Sequence, residues 1–506
     1  MRISIIGAGV SGLSVGCYLQ MNGFETEILE KHSRPGGLCT SWKRDGFTFD
    51  GCLHWLLGSN ESSPYYRLWS ELVDMNSITF FNHEVRLEIE LNENSDRHGD
   101  KVFHLYTNIS RLESYLHDLA PEDSRLIKSL IRSMRMIQRF EVPPMIDNNT
   151  ATHPMRKRLA MIKYFPLLFW FMKWRNVTNY SFAKKLSNPF LKEAFRLLFD
   201  GEEFKLLILT MPLSFFDTGG AGYPVGGSYQ FAKKIEEKYI ALGGNIHYNH
   251  EVKKILTEGN KAVGILLKDN RVIRSDVTIS AADWHFTVFE ALEGKFVNNK
   301  LRELALQKRL KIYPSIVLVS LGVSRTFRDL PHFFRFPVGT TVLSPDGTAY
   351  DRIEAHIYHY DPTLAPEGKT VVALSFYTRN GDYWIDLRNN DRLTYDRKKN
   401  EFAREVLDRL EEKMAGIKQV VECMDIATPA TYHRYTNNWK GSIQGWFPES
   451  NLIASSPVGT KLPGLNGFYY CNHWSIPGGG LPVAIKAGRD LAYMICVKHK
   501  RPFKTR

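Results

Sequence analysis

The sequence predicts an α/β chain in which a doubly wound parallel sheet is joined to an α+β part carrying an antiparallel sheet. Three observations predict it. A β-branched run, a glycine turn and an apolar helix follow one another at residues 2–19. A short strand, a second glycine-rich turn and a second helix recur near residues 467–492. Between them, runs such as Ser315–Leu321 and Thr370–Ser375 read as strands, while residues 108–215 read as helical.

The first strand is Arg2-Ile3-Ser4-Ile5-Ile6. Gly7-Ala8-Gly9-Val10-Ser11-Gly12 follows as a GxGxxG turn, and Leu13 to Leu19 as the helix. In that frame Gly7 permits the tight turn, Gly9 lets the backbone approach a pyrophosphate, and Gly12 lets helix and strand pack closely. The helix start offers unpaired N–H groups and a positive dipole end to phosphate. Thr26-Glu27-Ile28-Leu29-Glu30 reads as the second strand. It ends in an acid ~20 residues after the glycines, where the carboxylate can accept hydrogen bonds from an adenosine ribose. A lone GxGxxG says little. Strand, turn, helix, strand and acid together mark a Rossmann-type dinucleotide site.

Composition bounds the rest. Of 506 residues, 43% are apolar and 24% charged, so a large core forms and extensive disorder is excluded. The formal charge of +12 favours anionic partners. Nucleic acid is not expected, because no zinc-knuckle spacing or RNA-binding aromatic signature occurs. An anionic membrane surface is the better reading. The six cysteines form no CxxC pair, so neither a metal site nor a dithiol redox motif is expected, and they read as reduced, mostly buried thiols of a cytoplasmic protein. The apolar run Tyr164–Met172 falls well short of the ~18–20 residues that span a bilayer. The expectation is therefore no signal peptide, no transmembrane helix and peripheral attachment.

The stretch after Glu30 turns the reading toward FAD. Lys31-His32-Ser33-Arg34-Pro35-Gly36-Gly37-Leu38 places an arginine and a glycine pair straight after the acid. It resembles the extended nucleotide signature of the flavoprotein superfamily that includes amine oxidases and phytoene desaturases. That resemblance implies a GR2-like, Rossmann-type FAD-binding domain, with Arg34 offering a charge-assisted contact to phosphate.

A second segment narrows it. Gly467-Phe468-Tyr469-Tyr470-Cys471-Asn472-His473-Trp474-Ser475-Ile476-Pro477-Gly478-Gly479-Gly480-Leu481-Pro482 runs from strand through glycines into a helix. It resembles the C-terminal signature of the phytoene desaturase–carotenoid isomerase–retinol saturase family. Phe47 to Trp55, Tyr223 to Ser228, Gly243 to His247, Val252 to Ile255 and Thr428 to Tyr432 with Gly445-Trp446 resemble that family's other islands. Asn472 departs from the pattern, standing where many members of the superfamily carry an acid. The resemblance implies flavin contacts from Gly7, Gly9, Val10, Ser11, Gly12, Glu30, Lys31, Arg34, Gly36, Gly37, Leu38, Val252, Asn472, Pro477, Gly479, Gly480 and Leu481.

The expected FAD-binding domain is assembled from residues 1–75, 220–290 and 420–506. Residues 76–219 and 291–419 form the substrate domain. Within it, Leu126, Leu130, Met134 and Ile137 recur at helical spacing opposite Arg125, Lys128, Arg132, Arg135 and Arg139. Taken alone, that pattern fits a packed helix with a solvated charged face better than a membrane-surface helix. The apolar stretch at 159–174, flanked by Arg156, Lys157, Arg158, Lys173 and Arg175, adds to the membrane reading.

The expected function is an FAD-dependent oxidoreductase acting on carbon–carbon bonds of a lipophilic polyene or isoprenoid, as desaturase, saturase or redox-assisted isomerase. The alternatives are a non-catalytic prenyl-binding protein resembling GDP dissociation inhibitors, or an amine oxidase-like flavoenzyme. No Ser-His-Asp set, metal-spaced histidines or carboxylate pair stands out. His54 and His473 are the candidate acid–base groups, since both lie in segments the resemblance brings to the flavin. The bland reading is that each packs beside its tryptophan. No pattern names the electron acceptor.

Overall fold

In the computed structural model, residues 1–92, 95–139, 165–448 and 457–506 are described. The parallel sheet has five strands, in the order Phe468–Tyr470, Val277–Ser280, Arg2–Ile6, Glu25–Leu29 and Asn245–His247. Every neighbouring pair is parallel, with Ile3 opposite Val277 and Ile5 opposite Ile28. Three distant stretches of chain thus build one sheet.

Side chains alternate across it, as a pleat requires. Ile3, Ile5, Ile28 and Tyr469 enter a core with the helices Val10–Met21, Gly227–Ala241 and Gly480–Lys498. Ile6, Leu29, Phe468 and Tyr470 enter another with the small antiparallel sheet of Val252–Glu258, Lys261–Leu267 and Val272–Arg274. Both faces are covered, which explains the near-continuous apolar strands. Small residues bring the first and last helices close: a Cβ on Gly488 would lie 2.5 Å from Ser14 Oγ, and that hydroxyl donates to the Ile485 carbonyl.

The second sheet has seven strands, ordered Val421–Ala427, Ser315–Val323, Thr370–Thr378, Ala349–Ile357, Phe333–Leu343, Val85–Glu90 and Val102–Tyr106. It is antiparallel except where Phe333–Leu343 meets Val85–Glu90. Two particulars differ from expectation. The strand Val421–Ala427 pairs with Ser315–Val323 in this sheet, although the sequence reading set its boundary at 420. The sheet also recruits residues 85–106, which local patterning did not single out.

The helices Ile109–Leu119, Ser124–Arg139, Phe165–Trp174, Pro189–Arg196 and Leu207–Phe216 share a separate core. Arg125, Lys128, Arg132, Arg135 and Arg139 all face outward, while Leu130, Met134 and Ile137 are buried in that core. The apolar face of this helix is therefore spent on internal packing. As a membrane-surface helix with a free apolar face, the reading is corrected. Tyr164 and the basic residues Arg156, Lys157 and Arg158 lie outside the described residues.

Candidate active site

A cleft opens at the carboxyl ends of four parallel strands. Gly7 and Gly9 follow the first strand, Glu30 the second, Ala281 the Val277–Ser280 strand and Asn472 the last. Strand ends of a doubly wound sheet are where such folds place their ligands.

The glycines at its floor are required for different reasons. A Cβ on Gly12 would sit 2.0 Å from the Gly7 carbonyl oxygen, so helix and turn pack only with glycine there. A Cβ on Gly9 would meet no protein atom within 4 Å and would project into the cleft. The fold does not need glycine at position 9, but a ligand drawn close to the backbone does. The helices Val10–Met21 and Gly480–Lys498 both start at the cleft on glycine, without a side-chain cap. Their first-turn N–H groups are left for an anion or another acceptor.

Glu30 is buried, and its two carboxylate oxygens accept from the backbone N–H groups of Ala8 (2.6 Å) and His32 (2.8 Å). Burial raises its pKa, and those N–H bonds oppose the rise. A carboxylate has about four acceptor sites, so Glu30 can brace the glycine turn and still receive ribose hydroxyls. The geometry fits a dinucleotide: an acid, a backbone cradle a Cβ would fill, and two uncapped helix starts.

Most of the expected contacts line this cleft: Gly7, Gly9, Val10, Ser11, Glu30, Lys31, Gly36, Gly37, Leu38, Val252, Asn472, Gly480 and Leu481. Four do not. Gly12 acts through packing. Arg34 turns into the neighbouring hollow, where it donates to the Ser41 carbonyl at 3.0 Å and stacks over Tyr229. Glu30, Gly37 and Leu38 line that hollow as well as the cleft. Pro477 and Gly479 shape the turn, and a Cβ on Gly479 would lie 2.0 Å from the Gln444 carbonyl oxygen. Asn472 is committed to the protein. Its Oδ1 accepts from Tyr470 Oη and Trp474 N–H, and its Nδ2 donates to the Ala282 carbonyl. An aspartate could not make that last bond, which accounts for the amide.

Sequence reading missed Ala281, Ala282 and Asp283, which follow the strand Val277–Ser280 into the cleft. The only available signal was a short apolar strand with no motif after it. Asp283 is buried, accepts from the N–H groups of Phe286 and Trp439, and has its pKa pushed up to about 7 by desolvation.

A second cavity lies between the helix Leu207–Phe216 and the seven-stranded sheet. Trp55, Phe199, Phe204, Leu209, Leu213, Phe216 and Phe333 give it an apolar wall. His54, Arg86, Arg335, Glu354 and His356 form a polar edge. The two hollows share a partition. Cys52 lines the cleft and His54, two residues on, lines the cavity. Gln444 also lines the cavity, and its amide donates to the Gly478 carbonyl in the cleft-side turn at 2.7 Å.

The two candidate histidines therefore stand on opposite sides of this partition. His473 lines the cleft, and its Nε2 is buried with no hydrogen-bond partner among the described residues. Desolvation holds its pKa down to about 4. His54 stacks on His356 at 4.1 Å, with its Nδ1 3.3 Å from Tyr358 Oη. Burial first, then His356 and Arg86, keep it well below the usual histidine range. Both rings are neutral near pH 7, because burial penalises the protonated form.

Comparison with known proteins agrees with this architecture. The sequence profile of a family described as "Flavin containing amine oxidoreductase" matches residues 10–496. The chain is 24% identical to the chloroplastic prolycopene isomerase of Daucus carota, over 97% of this chain and 79% of that protein. It is 23% identical to the 4,4'-diapophytoene desaturase (4,4'-diapolycopene-forming) of Methylomonas sp, over 99% and 96%. Among solved structures, cyclohexylamine oxidase from Brevibacterium oxydans superposes with a TM-score of 0.58 over 99% of both chains at 14% identity, a likeness of fold.

Proposed function

The chain belongs to the flavin containing amine oxidoreductase family, and on that footing we propose that this FAD-dependent enzyme acts on carbon–carbon bonds of a lipophilic polyene or isoprenoid, as a desaturase, saturase or redox-assisted isomerase. The observation that carries the reading is the partition itself. A cavity with an apolar wall adjoins the nucleotide cleft at Cys52–His54 and Gln444. The relatives named as carotenoid isomerase and desaturase support it.

Bound FAD supplies two-electron, hydride-type transfer. The protein's share is position, dryness and proton management. The residues of the first and last parallel strands, with Glu30, hold the dinucleotide. Trp55, Phe204, Leu209, Leu213 and Phe216 exclude water and align the chain against the partition. His54 on the cavity side and His473 on the cleft side are the candidate proton-handling groups, by position. An amine substrate is disfavoured, because the cavity carries the cation Arg86 with no ion pair among the described residues.

Attachment to an anionic membrane is part of the proposal, and it rests on the aromatic stretch beside the basic helix. Phe165 (68% exposed), Phe169 (71%) and Met172 (49%) form one outward apolar face of Phe165–Trp174, while Trp170 and Trp174 are buried beneath. Lys173 of that helix donates to Ser129 of the neighbouring basic helix, so apolar and basic faces adjoin. Among the described residues, no helix is long and apolar enough to cross a membrane. Mixing the flavin-loaded enzyme, in each redox state, with polyenes, retinoids and unsaturated lipids tests the reading.

A further inference from the structure

Arg86 stands apart among the charged residues of the cavity. Its guanidinium lies over the rings of Phe333 (4.9 Å) and Phe216 (5.5 Å) and faces the hollow. Among the described residues it makes no hydrogen bond or ion pair. The nearby carboxylates are already engaged. Glu354 accepts from Arg335 Nε at 2.8 Å, and Asp200 from Arg335 Nη1 at 3.2 Å. On Arg86's own strand, Glu88 pairs with His104 and Glu90 with Lys413, and Glu84 just before it pairs with Arg111. The surrounding histidines His54, His83 and His356 are kept neutral by burial.

Arg86 is partly enclosed, and Glu354, whose charge reaches it, is held by Arg335; a cation without a direct partner in such a hollow is costly and is normally completed by one. The wall around Arg86 is apolar, and the two aromatic faces fix the plane of its fork. From this we infer that the cavity takes a lipophilic carboxylate, whose acid group pairs bidentately with Arg86 while its chain lies along the apolar wall. The planar fork matches a carboxylate. A diphosphate head carries more charge than one arginine offsets.

The anchor also sets a position. Phe333 stacks on His356 at 3.9 Å, and His356 on His54 at 4.1 Å. This ring stack leads from Arg86 to the partition, so the reacting bond is measured from the acid end. The inference rests on the reading of this cavity as the substrate site.

The test is a fluorescence titration of the purified, flavin-loaded protein with a conjugated-tetraene fatty acid and with its methyl ester. The acid should bind ~10-fold more tightly than the ester, as a charge-assisted bidentate contact requires. Arg86→Met should bring the acid to the level of the ester, with ester affinity and flavin content unchanged; Arg86→Lys should keep part of the preference. Equal binding of acid and ester by the parent protein overturns the inference and leaves the cavity reading standing. Binding of neither, with flavin fully retained, overturns the cavity reading and this inference together.

Discussion

The side-chain amide of Gln444 donates to the backbone carbonyl of Gly478 over 2.7 Å. That one bond ties the edge of the apolar cavity to the glycine turn at the start of the last helix. Close packing of Gly479 against the Gln444 carbonyl reinforces the tie. The edge of the cavity is thereby held in fixed register with the glycine turn at the cleft.

Gly9 provides the sharpest test of the cleft. Because its missing Cβ faces open space, Gly9→Val should fold normally yet lose FAD. Far-ultraviolet circular dichroism should match the parent, while the flavin absorbance of the purified protein disappears. Full flavin content in this variant would contradict the nucleotide assignment.

The histidines come next. His54→Ala and His473→Ala should both retain FAD and slow substrate-dependent flavin turnover by ~10²-fold, the usual scale for loss of a general base. Stopped-flow absorbance measures it. Parent-like turnover in both variants would leave positioning alone as the protein's contribution.

How much of this was legible in the sequence differs by residue. Gly7, Gly9, Gly12 and Glu30 were readable because a turn, a helix start and a strand end are local events with fixed spacing. The role of Arg34 was not, since its direction is set by Ser41 and Tyr229 across the fold. Asp283 and Arg86 had no signal: each gains its meaning from strands paired with distant segments, as when Val85–Glu90 adds to Phe333–Leu343. The basic helix Ser124–Arg139 was ambiguous in principle, because a core-facing and a membrane-facing apolar stripe have the same period.

Buried neutral histidines predict acid sensitivity. His473 titrates near 4 in the fold but near the ordinary value of 6.5 when unfolded. Between those values the unfolded chain binds the extra proton, so stability is whole above about pH 6.5 and is lost as pH falls. His54, His83 and His356 act in the same direction. Each such group steepens the loss by up to ~1.4 kcal/mol per pH unit. Denaturant titrations between pH 7 and pH 5 should show the slope, and His473→Gln should flatten it. An unchanged slope would mean that His473 is solvated.

Membrane attachment should depend on both faces of the helical region. Co-sedimentation with anionic vesicles should fall with added salt and with Arg132 and Arg139 changed to glutamate, at ~1 kcal/mol per basic residue near the surface. Phe165→Ser with Phe169→Ser should abolish it, because these rings are the exposed apolar face. Equal sedimentation with neutral vesicles would remove the electrostatic part.

The most direct measurement is anaerobic flavin absorbance on mixing with a lipophilic panel. The account predicts that the purified protein is yellow and that at least one polyene or unsaturated lipid either bleaches the oxidised flavin or restores the colour of the reduced one. A colourless protein, or a flavin that responds to amines and to no lipophilic compound in either redox state, would contradict it.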